Sequence, residues 1–464
     1  MTTNAREESS AVTRTTVPRD ASRARREAAR LTAQDVRGVA LTFVDNSGIT
    51  RVKAVPAGRL GQAAERGVGM SPVFDVFLLD DSITTSAHIG GPDGDLRLFP
   101  DLDRLTVLAA QPGWAWAPAD RYDQQGGPHP ACQRRFTRRM TERAAAAGLE
   151  LRMGFETEWV ALRDGQPAGP EPAYATRGPA YGMSRLVDLS GYLAELLAAF
   201  AAQDVEVLQL HPEYAPGQFE VSVAPSDPIG AADLSVLVRE TVRGVSRRGG
   251  LTPVFAPVVA AGGVGNGGHL HLSLWERGRN LCQGGDACAG MTGQSSAFLA
   301  GVLRELPALM AVGAPSVASY LRLQPGRWAG AFQCWGVENR EAALRFIPGP
   351  PNEPHGANAE LKCFDQAANP YLVTGAVIAA GLAGIRAGLE LPAPVSGDPA
   401  LGDGQPRLPQ SLQESVKHFQ DSAVLREAMG DPLFEAIAAV RRAEVELFED
   451  ADPDAVVAAV RDRY

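Results

Sequence analysis

Hydrophobic and polar residues alternate with two different periods along this chain. Between residues 38 and 56, β-branched runs flank the polar segment 45–48, which predicts a β-hairpin. Apolar runs of strand length follow at 150–162, 205–210, 217–223 and 269–275. Helical spacing marks residues 133–147, 187–203 and the charge-alternating tail 411–464. Together these elements predict an α+β fold.

A chain of 464 residues is too long for one compact core of ordinary size, so more than one domain is expected. The polar stretch at 120–130, which contains Pro and Gly, is typical of a linker. We therefore predict one domain over 34–125 and a second over 126–464. Residues 1–33 are rich in Arg, Thr, Ser and Ala and lack a continuous apolar core, so they are interpreted as a disordered arm.

Composition narrows the class of protein. The apolar share of 45% and the charged share of 21% are ordinary for a globular protein, and no uninterrupted apolar run predicts a membrane span. A formal net charge of −10 argues against an extended nucleic-acid surface, which leaves small molecules or sister subunits as partners. The five cysteines form no dense framework, so a reducing, cytoplasmic location is expected.

Two pairs of glutamates suggest converging carboxylates. Glu156 and Glu158 are two apart on a predicted strand, so their side chains share a face. Glu213 and Glu220 are separated by a Pro-Gly break at 216–217, which lets two successive segments present carboxylates to one site. Taken singly, the first pair also fits a solvated strand face and the second an ordinary surface turn.

Histidines and a third acidic segment add possible ligands. His269 and His271 share one face of a predicted strand after a glycine-rich run, although a lone His-x-His is more often structural. Glu360 and Lys362 alternate in the same way further along. Five glutamates and an imidazole suit two sites for Mg²⁺ or Mn²⁺. Between these clusters lie arginines of the kind that phosphoryl transfer requires, each of which also fits a surface ion pair: Arg322, Arg327, Arg340 and Arg345.

Five motifs in order carry a resemblance to a known family. They are ExE, HxE followed by GQxE, GxGxHxHxSLW, NREAALR and ExKxxDxxANPYL. From about residue 35 to residue 464 the chain resembles the glutamine synthetase superfamily, type I branch. The resemblance implies an N-terminal β-grasp domain and a C-terminal catalytic domain with a curved antiparallel sheet and flanking helices. It also implies a dodecamer of two hexameric rings with active sites between neighbouring subunits.

The resemblance further implies ATP, at least two Mg²⁺ or Mn²⁺ ions per site, and roles for individual residues. The metal ligands would be Glu156, Glu158, Glu213, Glu220, His269 and Glu360. The nucleotide contacts would be His271, Ser273, Trp275, Arg340 and Arg345. Arg340 and Arg345 would also act in catalysis, Arg322 would grip the carboxylate of the amino acid, and the loop with Gly265 would contact its amino end.

Departures from the family pattern bear on the substrate. A flap glutamate that helps deprotonate ammonium is replaced by Trp328. The segment that supplies an ammonium-site aspartate is absent, and only Asp75 or Asp81 could replace it. Tyr181 matches the tyrosine of the pocket, and Glu213 is kept. The resemblance is therefore closest to glutamine synthetase-like γ-glutamyl-amide ligases, which use a larger amine.

We accordingly expect an ATP-dependent carboxylate-amine ligase that forms a γ-glutamyl amide from glutamate and a primary amine other than ammonia, by way of γ-glutamyl phosphate. A tryptophan at the mouth favours a small monoamine such as ethanolamine over a polyamine, although it could also make cation–π contacts. Lys362 replaces an expected arginine, which leaves the identity of the acid open. The alternatives are an ammonia-dependent glutamine synthetase, a non-catalytic nucleotide-binding relative and a phosphotransferase.

Overall fold

A computed structural model describes residues 21–165, 172–350, 352–353, 355–401 and 404–464. The prediction that residues 1–33 form a disordered arm is wrong for the part described, because helix α1 spans Ala21–Ala33. Its buried residues, Ala24, Ala28 and Leu31, recur at the spacing of one helical face, and Ala28 and Leu31 pack into the core of the first sheet. Residues 1–20 lie outside the described part.

The first sheet contains six strands, and helix α2 (Leu60–Arg66) lies between its second and third strands in sequence. The strands are β1 Gly38–Val44, β2 Thr50–Pro56, β3 Val68–Met70, β4 Leu96–Pro100, β5 Thr106–Val107 and β6 Trp114–Tyr122. Their order is β2-β1-β6-β4-β3, with β5 on β6, and β1 runs parallel to β6. The β1–β2 pair confirms the predicted hairpin.

The second sheet has nine strands in the order β13-β14-β15-β11-β7-β9-β8, with β10 on β7 and β12 on β11. Its strands are β7 Glu150–Arg163, β8 Val207–Pro212, β9 Gln218–Val223, β10 Leu251–Val254, β11 Leu270–Glu276, β12 Arg279–Asn280, β13 Phe332–Val337, β14 Ala342–Ile347 and β15 Asn358–Leu361. All pairs are antiparallel except β13 with β14. The strands predicted around residues 150–162, 217–223 and 269–275 are thereby confirmed.

Helices cover the second sheet and form the C-terminal cap that the sequence predicts. They are α3 Gln133–Ala146, α4 Met183–Asp188, α5 Ser190–Ala202, α6 Pro228–Arg248, α7 Gly293–Gly313, α8 Ser319–Arg322, α9 Pro370–Arg386, α10 Leu412–Asp421, α11 Ala423–Met429, α12 Asp431–Leu447 and α13 Pro453–Arg461. Helix α7 is long and apolar enough to cross a membrane by length and composition, but 78% of its apolar window is buried in the fold. Such burial is typical of a core helix.

The turn between β1 and β2 joins the first sheet to the second. Asn369 begins α9, where its side chain accepts from the amides of the first turn. Its Nδ2 also donates to the carbonyl oxygens of Val44 and Asp45, at 3.0 Å each. Arg441 of α12 donates to the carbonyl oxygen of Asn46 in the same turn. The hairpin is therefore fixed against α9 and α12.

Candidate active site

The predicted carboxylates and histidines of β7, β11 and β15 meet on one face of the second sheet. His269 Nδ1 lies 2.7 Å from Oε2 of Glu156 and 3.2 Å from Oε1 of Glu360. His271 Nε2 lies 3.0 Å from Oε1 of Glu156, and its Nδ1 lies 2.9 Å from Oδ1 of Asn358. The pairing of β11 with both β7 and β15 brings these side chains together.

Electrostatics in this first cluster favour ionised carboxylates beside protonated imidazoles. Burial alone would lower the pKa of His271, but the negative charge of Glu156 and a hydrogen bond to it raise that pKa to about 9. Burial would raise the pKa of Glu156, but the charge of His271 and a hydrogen bond from His269 hold it well below the usual range. Lys362, whose Nζ is 3.1 Å from Glu360, and His269 lower the pKa of Glu360 against the same effect of burial.

A second cluster lies next to the first across the β7–β9 pair, where Glu158 stands directly opposite Glu220. His211 Nε2 is 3.4 Å from Oε1 of Glu220, and its Nδ1 is 3.6 Å from Oε1 of Glu213. The hydroxyl of Tyr181 donates to Oε2 of Glu213 at 2.9 Å. The Pro-Gly break between Glu213 and Glu220 therefore does bring their carboxylates to one place.

Like charges dominate the second cluster. Burial, followed by the charges of Glu158 and Glu220, raises the pKa of Glu213 to about 7. A hydrogen bond to Glu220 raises the pKa of His211 to about 9, against the effect of burial. A bound cation would offset both the burial and the like charges that raise the pKa of Glu213.

Both clusters fit divalent metal ions. Ligand atoms of Glu156, His271 and Glu360 lie within 4.8 Å of one another, and so do those of His211, Glu213 and Glu220. Carboxylate oxygens with few imidazoles suit Mg²⁺ or Mn²⁺. Metal ions bound there would compete with protons for the imidazoles and for Glu213.

Cationic side chains line the β14–β15 edge of the first cluster. Arg345 Nη1 donates to Oε2 of Glu360 at 3.1 Å. Arg322 is 4% exposed, and its Nη2 lies 3.1 Å from Nε2 of His269 and 3.0 Å from the carbonyl oxygen of Lys362. Its Nη1 is buried and has no hydrogen-bond partner among the residues that the structure describes. A buried guanidinium nitrogen without a partner requires an acceptor, and a substrate carboxylate could supply one.

The glycine-rich loop before β11 approaches Arg322 and His269 closely. A Cβ on Gly265 would lie 2.8 Å from Cγ of Arg322, and one on Gly267 would lie 2.4 Å from Nε2 of His269. Gln218 links this loop to Glu158, since its Nε2 donates to Oε2 of Glu158 at 2.8 Å and to the carbonyl oxygen of Gly265 at 3.0 Å. Only glycine at position 267 leaves room for these side chains.

The predicted nucleotide residues lie in different parts of the structure. His271 belongs to the first cluster, while Ser273 and Trp275 lie further along β11, with Trp275 Nε1 donating to Oγ of Ser273 at 2.8 Å. The Trp275 ring stacks on His355 at 5.5 Å and lies under the Arg152 guanidinium at 4.1 Å. Arg340, by contrast, is exposed at the start of β14.

Trp328 lies at the rim, with a left-handed φ of +51° and a side chain that is 57% exposed. Its backbone N–H donates to Oε1 of Glu341 at 2.8 Å. Glu341 is 8% exposed, and its Oε2 is buried with no hydrogen-bond partner within the described residues. Arg327 donates to the carbonyl oxygens of Gly262 and Gly263, so the flap segment is tied to the glycine-rich loop.

Asp75 and Asp81 form ion pairs with residues outside the two clusters. Asp75 is buried and bonds to Arg121 at 2.7 Å and to His129 at 2.8 Å. Asp81 pairs with Arg51 at 2.7 Å and with Arg463 at 2.8 Å. Each carboxylate has a structural role within its own chain, so an amine-site role for either remains a prediction.

Four residues of the site were not identified from the sequence: His211, Gln218, Gly267 and Glu341. His211 is the first residue of the HxE motif and Gln218 belongs to the GQxE motif, so two of them lie inside motifs used only for their glutamates. Their role depends on the pairing of β8, β9 and β7, which a linear spacing does not reveal.

Comparison with known proteins shows which family has a similar sequence and structure. Residues 130–456 match the family described as glutamine synthetase, catalytic domain. The chain is 54% identical over 456 residues to the gamma-glutamylpolyamine synthetase GlnA3 of Streptomyces coelicolor, covering 96% of this chain and 98% of that protein. It is 28% identical to the glutamate--methylamine ligase of Methyloversatilis universalis, with 86% and 90% covered. A crystal structure of a novel glutamine synthase homolog superimposes with a TM-score of 0.83 at 32% identity, over 92% of this chain and 99% of that one.

Proposed function

The chain belongs to the glutamine synthetase family and is an ATP-dependent carboxylate-amine ligase, and on that premise we propose that it joins the γ-carboxylate of glutamate to one amino group of a polyamine. The observation that carries the chemistry is the convergence of two ligand clusters beside the buried guanidinium of Arg322. The comparisons support a γ-glutamyl-amine ligase, but they give no support to the expected preference for a monoamine.

The residues divide the chemistry between the two clusters. Divalent ions held by the clusters would neutralise charge on the ATP phosphates and on the acyl phosphate as the γ-phosphoryl group moves. Arg345 and His271 steady the phosphates at the first cluster. Arg322 donates to the α-carboxylate of glutamate from its free Nη1. Its fixed position orients the γ-carboxylate for attack on ATP and then presents the acyl phosphate to the amine.

The amine end of the site is anionic and aromatic. Glu213, held by Tyr181, lies where the attacking nitrogen would be oriented. Tyr181 and Tyr214 are 55% and 60% exposed, and Trp328 is 57% exposed at the rim. Exposed aromatic faces near carboxylates suit a long cation with several ammonium groups, because each ring offers a cation–π contact. This arrangement and the name of the 54%-identical relative both favour a polyamine.

The assembly is also a proposal. We infer that the chain forms the dodecamer of two hexameric rings expected for its family, with each active site completed by a neighbouring subunit. The exposed edge strand β2 and the half-exposed Trp114 offer surface for such contacts. Sedimentation of the purified protein tests this proposal, and a monomer that is fully active would contradict it.

The experiment that tests the proposed function is phosphate release from ATP with Mg²⁺ and glutamate, with one amine at a time. The panel contains spermine, spermidine, putrescine, ethanolamine, methylamine and ammonium, and the product is identified by mass. We expect release with a polyamine and a γ-glutamyl-polyamine product. Release with ammonium alone, yielding glutamine, would replace this proposal with an ammonia-dependent synthetase.

Trp328 provides a sharper test of the amine site. Trp328→Ala is expected to lower kcat/KM for spermine by about two- to thirtyfold, the range of one cation–π contact. The KM values for ATP and glutamate should stay within twofold of the wild type. Leu401→Ala serves as the control, because Leu401 is 86% exposed outside the site. An unchanged kcat/KM for spermine in Trp328→Ala would remove Trp328 from amine recognition.

A further inference from the structure

A polar cavity outside the two ligand clusters lies between the β1–β2 turn, α6 and the C-terminal residues 463–464. Its volume is about 200 Å³. Arginine side chains from α6 and the chain end line it, namely Arg239, Arg243 and Arg463. Tyr464, Gln366 and Ile49 complete much of the wall. A cavity of this size holds one small molecule or a few waters.

Arg239 is the unusual member of this group. It is 3% exposed, and its Nε and Nη2 are buried with no hydrogen-bond partner in the described part of the chain. Its Nη1 donates to the carbonyl oxygen of Gln366 at 2.8 Å. The other two arginines have acidic partners, because Arg243 pairs with Glu240 at 3.0 Å and Arg463 pairs with Asp81 at 2.8 Å. A buried guanidinium with two free nitrogens is costly unless an acceptor fills the space beside it.

Burial, followed by the charge of Arg243, lowers the pKa of Arg239 to about 10. Glu240, which also lines the cavity, acts in the opposite direction but does not cancel this effect. An oxyanion with two adjacent oxygens would accept paired hydrogen bonds from Nε and Nη2, the geometry that arginine prefers with carboxylate and phosphate.

We propose that this cavity binds a small oxyanion, a phosphate or a carboxylate, at Arg239, and that the bound anion changes the metal affinity of the two clusters. Gln366 provides the link. Its carbonyl oxygen accepts from Arg239, and its Nε2 donates to the carbonyl oxygens of Glu156 at 2.9 Å and of Gly267 at 3.1 Å. An anion that moves Arg239 would therefore shift Gln366, and through Gln366 the backbone of Glu156 and of Gly267.

The binding half of the proposal is tested on the full-length enzyme with its active site filled. Sodium phosphate and sodium glutarate are titrated separately by calorimetry, with Mg²⁺, glutamate and a non-hydrolysable ATP analogue in excess. We expect one bound anion per chain for at least one of the two probes, with affinity at least tenfold weaker in Arg239→Met. Binding of phosphate alone would identify a phosphate site, and binding of glutarate alone a carboxylate site.

The matched control is Arg248→Gln, which removes an exposed arginine of the same helix that contacts Glu195 instead of the cavity. It should bind the anion as the wild type does. If Arg239→Met does not fold, Arg239→Lys replaces it, because lysine keeps the charge but loses the fork, so it should also weaken binding. The proposal is overturned if neither probe binds, or if the Arg239 variants bind as tightly as the wild type.

The coupling half is tested by the Kd for Mn²⁺, measured by electron paramagnetic resonance at matched free Mn²⁺. A saturating anion should change this Kd severalfold in the wild type and leave it unchanged in Arg239→Met, and by reciprocity Mn²⁺ should change the affinity for the anion by the same factor. An identical Kd for Mn²⁺ with and without the anion in the wild type would overturn the coupling.

Discussion

Replacing Gly267 with alanine tests whether the glycine-rich loop shapes the metal site. The added Cβ would lie 2.4 Å from Nε2 of His269 and 2.6 Å from Oε1 of Glu158. Both distances are shorter than real Cβ contacts allow. The backbone of Gly267 lies outside the left-handed region, so alanine suits the main chain. The nearest conflicts are therefore with the side chains of His269 and Glu158, which we propose as metal ligands.

The structure indicates how large the effect should be. Ordinary contact begins at 3.4 Å, so the imidazole of His269 must move by about 1 Å from its 2.4 Å position. Both obstructing atoms end side chains, and a small rotation relieves the clash at little cost in folding free energy. The same rotation displaces metal-binding atoms. Perturbed ligand orientation typically costs about 10- to 100-fold in metal affinity, and a misplacement of about 1 Å can cost a similar factor in turnover.

The assay compares Mn²⁺ affinity, ATP-dependent phosphate release and Tm in wild type, Gly267→Ala and Gly191→Ala. Gly191 lies in α5, and a Cβ added there would meet nothing within 4 Å, so alanine should preserve activity and slightly raise Tm. We expect Gly267→Ala to keep a near-native Tm while it loses Mn²⁺ affinity and turnover. Native Mn²⁺ affinity in Gly267→Ala would refute the reasoning, and so would a loss of affinity that only follows a collapse of Tm.

Two further predictions concern protons and the flap. The pKa of Glu213 is raised to about 7, and those of His211 and His271 are raised to about 9. A bound metal ion competes with protons on these groups, so Mn²⁺ affinity should rise with pH from about 6 to about 9 and then level off, and calorimetry in buffers of different ionisation enthalpy should record proton release. A flat profile would contradict this. Glu341→Ala removes the acceptor of the Trp328 N–H and should raise the KM for the amine about five- to thirtyfold without changing Mn²⁺ affinity. Glu341→Gln keeps an acceptor oxygen, so steady-state kinetics should show a KM closer to that of the wild type. Equal KM values in both variants would exclude this positioning role.

Local spacing predicted the elements that depend only on the neighbouring sequence. Residues two apart on a strand share a face, and Glu156 and Glu158 do so on β7. The hairpin of β1 and β2 follows from its polar turn. The helix at Ala21–Ala33 was missed because its charged composition obscured three small apolar residues on one face. The same spacing rule would have found it.

Contacts between distant segments could not be predicted in this way. His211 reaches Glu220 only because β8 pairs with β9 with a register shift near Val207. Glu341 lies within an arginine motif in sequence, yet its hydrogen bond to the backbone N–H of Trp328 joins residues 13 positions apart. These contacts follow from tertiary pairing, so a linear motif names the ligands without the residues that position them.

Isotope transfer in a competition assay tests the central claim most directly. The enzyme receives ATP, Mg²⁺, glutamate labelled with ¹⁸O in its γ-carboxylate, and equal concentrations of spermine and ammonium. An acyl phosphate sends one labelled oxygen to phosphate when the amine attacks, so ¹⁸O-phosphate should accumulate together with γ-glutamyl-spermine. Glutamine as the main product, or phosphate without label, would contradict a γ-glutamyl-polyamine ligase that acts through γ-glutamyl phosphate.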